Sequence, residues 1–250
     1  MTDAKNIFDF INSFAPFETQ MSFDNSGLLI GDENAVSDKI IVTLDVTRDV
    51  IRQAVSENAH IIISHHPVIF NSIKSLASSS IPFLCAKNGL TVISAHTNLD
   101  IAPNGVNDTL AKLCGVVPDK YINEECLIFG HLSSTMDCPT FAKHIKNTLN
   151  ISGLRFSDNS KHISKIAVAC GAGGSNVFLA KKYSADAIIT GEIKHHEIIF
   201  ANDNDIAVFD LGHFNSENII IPQLIKKLSD QFNNITFIQS NFTDKMNYLG

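Results

Sequence analysis

Two adjacent histidines, His65 and His66, stand just past a run of three isoleucines, Ile61 to Ile63, with Ser64 before them and Pro67 after them. Imidazole is the commonest protein ligand for transition metals. The isoleucines are β-branched and sit between polar positions, so they read as a short buried strand of a parallel sheet. Neighbouring side chains on a strand point to opposite faces, and two histidines in extended backbone would diverge. At a strand end the chain can turn and aim both rings into one crevice. Pro67 fixes its own φ and disfavours helix at His66. The plain alternative is a histidine pair that caps the strand by hydrogen bonds. Taken alone, the two readings have equal weight.

Two further segments tip the balance. Ser94 to Asp100 puts His96 and Asp100 just past a second apolar run, although Asn98 and Asp100 are also ordinary turn residues. Gly212 to Glu217 puts His213 and Glu217 four residues apart. With Asn215 as N-cap, Glu217 falls in the first turn of a helix, where the macrodipole favours a carboxylate, and His213 faces it across the cap. Gly212 lets the backbone turn sharply before the histidine. His65, His66 and His213 then supply three imidazoles, and Asp100 and Glu217 supply two carboxylates. Such a set can hold two divalent cations with a carboxylate between them. A single four-ligand zinc is the simpler alternative. Mixed nitrogen and oxygen donors suit zinc, iron, manganese, nickel or cobalt and exclude a thiolate site.

Other motifs are less specific. His195 and His196 follow Thr190-Gly191-Glu192 and can line a pocket, shuttle protons or simply open an exposed helix. His60, His131, His144 and His162 have no supporting neighbours and read mostly as surface residues. The segment Cys170 to Asn176 is a glycine-rich turn between a strand and a helix. It fails the dinucleotide fingerprint, because Asn176 stands in the third glycine's place, and it lacks the lysine of a P-loop. It reads first as a tight turn and second as an anion site.

The elements that must position these residues alternate. Strand patterns fall at 39–45, 60–64, 91–95, 165–170, 187–190, 206–211 and 235–239, with an edge-strand candidate at Cys126 to Gly130. Helical periodicity falls at 4–14, 47–58 with Thr47 as N-cap, 105–114, 139–149, 175–184 and 216–232. Pro222 should bend the last helix or start a new one. This is an α/β chain: two interleaved sub-domains with mixed, largely parallel sheets covered by helices. The first is expected over 1–122, with 213–250 returning to it, and the second over 123–212. Asp45, His65, His66, His96, Asp100, Glu192 and His213 all follow strands. Open α/β sheets bind ligands outside the carboxyl ends of their strands, so the metal site is expected there, between the sub-domains.

Composition narrows the function. Of 250 residues, 44% are hydrophobic, which is enough for a packed core. The formal charge of -7, with no run of five or six like charges, argues against nucleic acid as the main partner. The five cysteines form no C-x-x-C pair and read as buried thiols of a reducing compartment. The first residues lack the basic and apolar regions of a signal peptide, and no apolar stretch is long enough to span a bilayer. A cytoplasmic protein without membrane contact is expected.

In order, the segments are Phe23-Asp24-Asn25-Ser26-Gly27-Leu28, Asp45-Val46-Thr47, Ser64-His65-His66-Pro67, His96-Thr97-Asn98-Leu99-Asp100, Thr190-Gly191-Glu192 and Gly212-His213-Phe214-Asn215-Ser216-Glu217. Together they resemble the YbgI-like dinuclear metal-binding family, whose members are often named type 2 GTP cyclohydrolase I homologues. The match spans nearly the whole chain, and Phe23 stands where tryptophan is usual. The resemblance implies two divalent cations per subunit, held by His65, His66, Asp100, His213 and Glu217, with Glu217 favoured as the bridge. It also implies a toroidal homohexamer. The expected function is a metal-dependent hydrolase acting on a nucleotide or another small phosphorylated metabolite, with GTP ring opening as one version. Glu192, His96 and His196 are the expected catalytic residues, and Asp24, Asn25 and His195 join them as candidates for the outer shell or proton transfer. The alternative is a regulatory or scaffold protein whose metals support the fold and which acts through protein partners.

Overall fold

The computed structural model describes residues 2–246. Along the chain run α1 (Ala4–Phe14), β1 (Gly27–Ile30), β2 (Lys39–Thr43), α2 (Arg48–Glu57), β3 (Ile61–Ser64), α3 (Ile81–Lys87), β4 (Thr91–Ser94) and the one-turn α4 (Thr97–Asp100). There follow α5 (Val106–Leu113), β5 (Val116–Ile122), β6 (Leu127–Asp137), α6 (Cys138–Leu149), β7 (Arg155–Phe156), β8 (His162–Ala169), α7 (Val177–Lys182), β9 (Ala187–Thr190) and α8 (His195–Asp203). The chain closes with β10 (Ala207–Asp210), α9 (His213–Glu217), α10 (Ile220–Gln231) and β11 (Thr236–Gln239). It is a mixed α/β protein of two units, each with its own mixed sheet. The first unit ends at Pro103 and resumes over Ile220–Thr243; the second is built on Asn104–Ile219.

The first sheet has the order β1-β4-β3-β2-β11. β4, β3, β2 and β11 are parallel, and β1 closes one edge antiparallel to β4. Ile40, Ile41, Ile61, Ile62, Ile63 and Ile93 are all fully buried, as central strands covered on both faces require. Full burial of each such side chain stabilises by about 1.5–3 kcal/mol, so β3 is a stiff base for the histidines at its end. Val50, Ile51 and Ala54 of α2 pack on Ile41 and Ile62 together with Cys85 of α3. Thr47 caps α2 as expected, its side chain accepting from Val50 N. Hydrogen bonding continues past the strand end, from His65 N to Thr43 O and from His66 N to Leu44 O. The main chain at both histidines is therefore fixed by β2 and the residue after it.

The second sheet has the order β5-β6-β8-β9-β10-β7. β8, β9 and β10 are parallel; β5, β6 and β7 join antiparallel. Phe129, Ala167, Val177, Ile188, Ala201 and Val208 share a core that brings α7 and α8 onto the sheet.

Several local expectations change. The strand expected at Cys126 to Gly130 is the start of the eleven-residue β6 and is internal. The edge beside it belongs to β5, whose Pro118 lacks an N–H and is tolerated there. The division of the units expected near residue 122, and the return expected at 213, both move. The observed divisions fall after Pro103 and after Ile219, because β5 pairs with β6 and α9 follows β10 of the second sheet. The helical pattern at 216–232 is two helices, with Pro222 in the first turn of α10, where its missing N–H costs nothing.

Burial has a chemical consequence for two thiols. It pushes Cys85 up to about 11 and Cys114 up to about 12. Since the thiolate is the reactive species, neither should be alkylated by iodoacetamide in the folded protein at about pH 8. Both should label fully after unfolding, and mass mapping of the modified peptides checks this.

Candidate metal centre

In the first unit three imidazoles gather beyond the carboxyl ends of β3 and β4. The ring centroids of His65 and His66 are 5.1 Å apart, those of His65 and His96 5.1 Å, and those of His66 and His96 5.4 Å. Donor atoms from the three rings lie within 4.8 Å of one another, close enough to serve one cation. Each ring is bracketed at Nδ1. His65 Nδ1 meets Ala95 O at 2.8 Å, His66 Nδ1 meets Asp45 Oδ1 at 2.8 Å, and His96 Nδ1 meets Asp24 Oδ1 at 2.8 Å. An acceptor at Nδ1 places the ring proton there and leaves the Nε2 lone pair for an ion, which is the usual support of a metal-ligating histidine. His65 Nε2 lies 3.4 Å from Asp100 Oδ1. Two donors about 2.1 Å from one ion at a tetrahedral angle stand roughly 3.4 Å apart. His65 and Asp100 fit that requirement.

The brackets are themselves fixed. Asp24 also accepts from Thr97 N at 3.0 Å, from Thr97 Oγ1 at 2.5 Å and from Ser26 Oγ at 3.1 Å. Burial alone would raise its pKa, but the hydrogen bonds from His96 and Thr97 outweigh it and hold the carboxyl well below the usual range. Asn98, fully buried, donates to Ala15 O and accepts from His96 N, which locks the start of α4 and with it Asp100. Ser64 Oγ contacts Ser94 Oγ and donates to His66 O, tying β3 to β4 at the histidines.

In the second unit the donors come from the carboxyl end of β10. Gly212 has φ 80° and is the N-cap of α9, so the helix begins at His213 rather than after Asn215. This corrects the expected cap: glycine makes the turn earlier, and Asn215 instead donates to Leu211 O. His213 and Glu217 then share one helix face at the i, i+4 spacing. His213 Nε2 is 3.0 Å from Glu217 Oε2, and His213 Nδ1 meets Glu192 Oε1 at 2.8 Å. Glu192 brackets His213 as Asp45 brackets His66.

The glycine turn has a different task from the one its composition advertises. A Cβ on Gly171 (φ 54°) would lie 2.1 Å from Glu217 Oε1 and 3.3 Å from His213 Nε2. Gly171 N donates to Ser216 Oγ at 3.0 Å. Gly173 and Gly174 are pressed against Ala169 and Thr190 and against Glu192 and Ile193. These glycines admit the protein's own carboxylate and backbone, and the anion-site reading of the turn is not supported. His195 and His196 open α8 and are exposed. The His196 side chain is 69% exposed, and its Nε2 lies 3.9 Å from Glu197 Oε1. Asp24 and His96 are candidates from sequence, but the pairing of Asp24 with His96 and of Asp45 with His66, and a place for His96 beside the His65 and His66 rings, are not foreseen. Their only sequence signal is position after a loop or strand, since Asp24 and His96 are 72 residues apart.

Two mixed sheets, each with histidine and carboxylate donors past its parallel strands, define a class of α/β protein equipped to bind metal. The chain belongs to the Duf34/NIF3 (NGG1p interacting factor 3) family, which it matches over residues 2–245. It is 32% identical over 237 residues to a Clostridium acetobutylicum protein named GTP cyclohydrolase 1 type 2 homolog, covering 90% of this chain and 88% of that one. It resembles the crystal structure of the Staphylococcus aureus hypothetical protein SA1388 with a TM-score of 0.87 and 27% identity, over 99% of both chains. The protein ybgI shares the fold, with a TM-score of 0.87 and 20% identity over 98% of this chain and 100% of that one. Among the described residues no helix is long and apolar enough to cross a membrane.

Proposed function

We infer that this chain is a metal-dependent hydrolase of a nucleotide or another phosphorylated metabolite. In this reading His65, His66, Asp100, His213 and Glu217 would hold two divalent cations, Glu217 being the favoured shared ligand. The observation that carries it is the bracketing of His65, His66 and His213 at Nδ1 by Ala95 O, Asp45 and Glu192, which readies each Nε2 for an ion. When bound, such cations supply a nucleophilic water near neutral pH and polarise the bond under attack. Asp100 and Glu217 add the negative charge that a pair of dications needs, and both are buried, which strengthens that attraction. Of the residues expected to move protons, His96 is the one set among the other imidazoles, with Asp24 holding its Nδ1. Glu192 acts through His213 as a positioning residue. The cytoplasmic hexameric ring implied by the resemblance belongs to this reading too, and light scattering of the purified protein checks the assembly.

The decisive experiment loads the protein separately with Zn, Mn, Fe, Ni and Co and assays a panel of nucleotides and phosphoesters. Turnover should appear with at least one metal. Asp100→Asn and Glu217→Gln should each reduce it to background while the oligomer stays intact. No turnover across the panel, together with unfolding on chelation, would instead support the regulatory or scaffold reading, in which the ions only brace the fold.

A further inference from the structure

Two phenylalanines beside the imidazole cluster are held in a position that water disfavours. Phe23 is 65% exposed and Phe70 is 44% exposed. Their ring centroids are 6.4 Å apart and tilted by 43°, and Phe70 meets the His96 ring edge-on at 6.2 Å. Scattered exposed apolar side chains need no explanation, but adjoining aromatic rings at a donor cluster mark a binding surface. The loops that carry them are pinned. Asn25 Nδ2 donates to Ile69 O at 2.6 Å, which ties together the chain near Phe23 and the residue before Phe70. Asp24, adjacent to Phe23, is anchored on His96 and Thr97. The rings thus stay outward because their neighbours are bonded inward, not because the loops lack partners.

We propose that Phe23 and Phe70 form a stacking platform for the flat heteroaromatic base of a nucleotide whose phosphate end reaches the histidines. The proposal rests on the nucleotide reading above and narrows it to substrates with a base. A nucleobase has an apolar π-face and an uncharged body, which suits an aromatic platform on a chain of net charge -7. The glycine turn, packed against Glu217, offers the phosphate no seat of its own, so base stacking and the metal ligands divide the recognition between them.

The chain has no tryptophan, so Phe23→Trp introduces a single indole at an exposed position with room for it. Guanosine monophosphate should quench its emission saturably, and ribose 5-phosphate, which lacks the base, should not. Adding Phe70→Ala should weaken the guanosine monophosphate response about ten-fold, within the range of base–aromatic stacking. Equal responses to both probes, or no saturable quenching by the nucleotide, would overturn the platform. So would an indole emission that shifts with protein concentration and ignores the nucleotide, since a second copy of the chain would then cover the patch. Metal content measured on the same samples separates the two readings. Retained metal without quenching removes the platform alone, and quenching without retained metal removes the hydrolase reading.

Discussion

On the proposed ligand set, Gly171→Ala is expected to weaken zinc binding at His213 and Glu217 sharply while leaving the chain folded. The left-handed backbone at Gly171 costs an alanine about 1–2 kcal/mol. The larger effect is steric. The new Cβ would stand 2.1 Å from Glu217 Oε1, and the buried carboxylate would have to swing away from His213 Nε2. Loss of a mere orienting partner typically costs 10–100-fold in metal affinity, so displacing a ligand itself should reach at least the upper part of about that range. Gly89→Ala is the control. It also has a positive φ, 66°, but nothing lies within 4 Å of its Cβ, so it carries the backbone strain alone. Titration calorimetry with zinc, beside circular dichroism of both variants, reads the difference. Wild-type affinity in Gly171→Ala would mean that Glu217 is not a ligand.

Asp24→Ala is expected to be the most destabilising single change around the cluster, by about 3–5 kcal/mol, since it leaves a buried hydrogen-bonded network without its acceptor. Five donors converge on this carboxylate, from His96, Thr97 (N and Oγ1), Ser26 Oγ and Asn25 N. For a chain of this size that loss is on the order of 10 °C in Tm. The pH dependence has a definite sign. The folded-state pKa lies below the unfolded value of about 3.9, so the stabilisation is fully present above that value and drains away as pH falls through the folded pKa. The Tm gap between wild type and Asp24→Ala should therefore be constant near neutrality and narrow only in acid. A gap that closes on the alkaline side would show that the network is held by something other than the ionised carboxylate.

The strands that carry donors are legible in the sequence as apolar runs, because a parallel strand buried on both faces has no polar alternation to confuse it. Ile61 to Ile63 are the clearest case. The pairs His65 with His66 and His213 with Glu217 are visible because their spacing is local. The hidden part depends on contacts across the chain. Nothing near Asp24 in sequence announces His96, and nothing near Asp45 announces His66; the parallel pairing of β2 with β3 creates that neighbourhood. Gly171 escapes for the same reason, since a glycine required by a close approach looks identical to one required by a turn. The full length of β6 is equally hard to see, because the exposed polar half of a strand next to the sheet edge carries little apolar signal.

The brackets around the histidines are not chemically alike. His65 leans on a neutral peptide carbonyl, whereas His66, His96 and His213 lean on carboxylates. A charged acceptor draws the Nδ1 proton more strongly and makes the opposite nitrogen more electron-rich. Four identical side chains thereby become a graded series of Lewis bases, and under the proposed metal binding any preference among cations would be open to retuning by editing Asp45, Asp24 or Glu192 without touching the imidazoles.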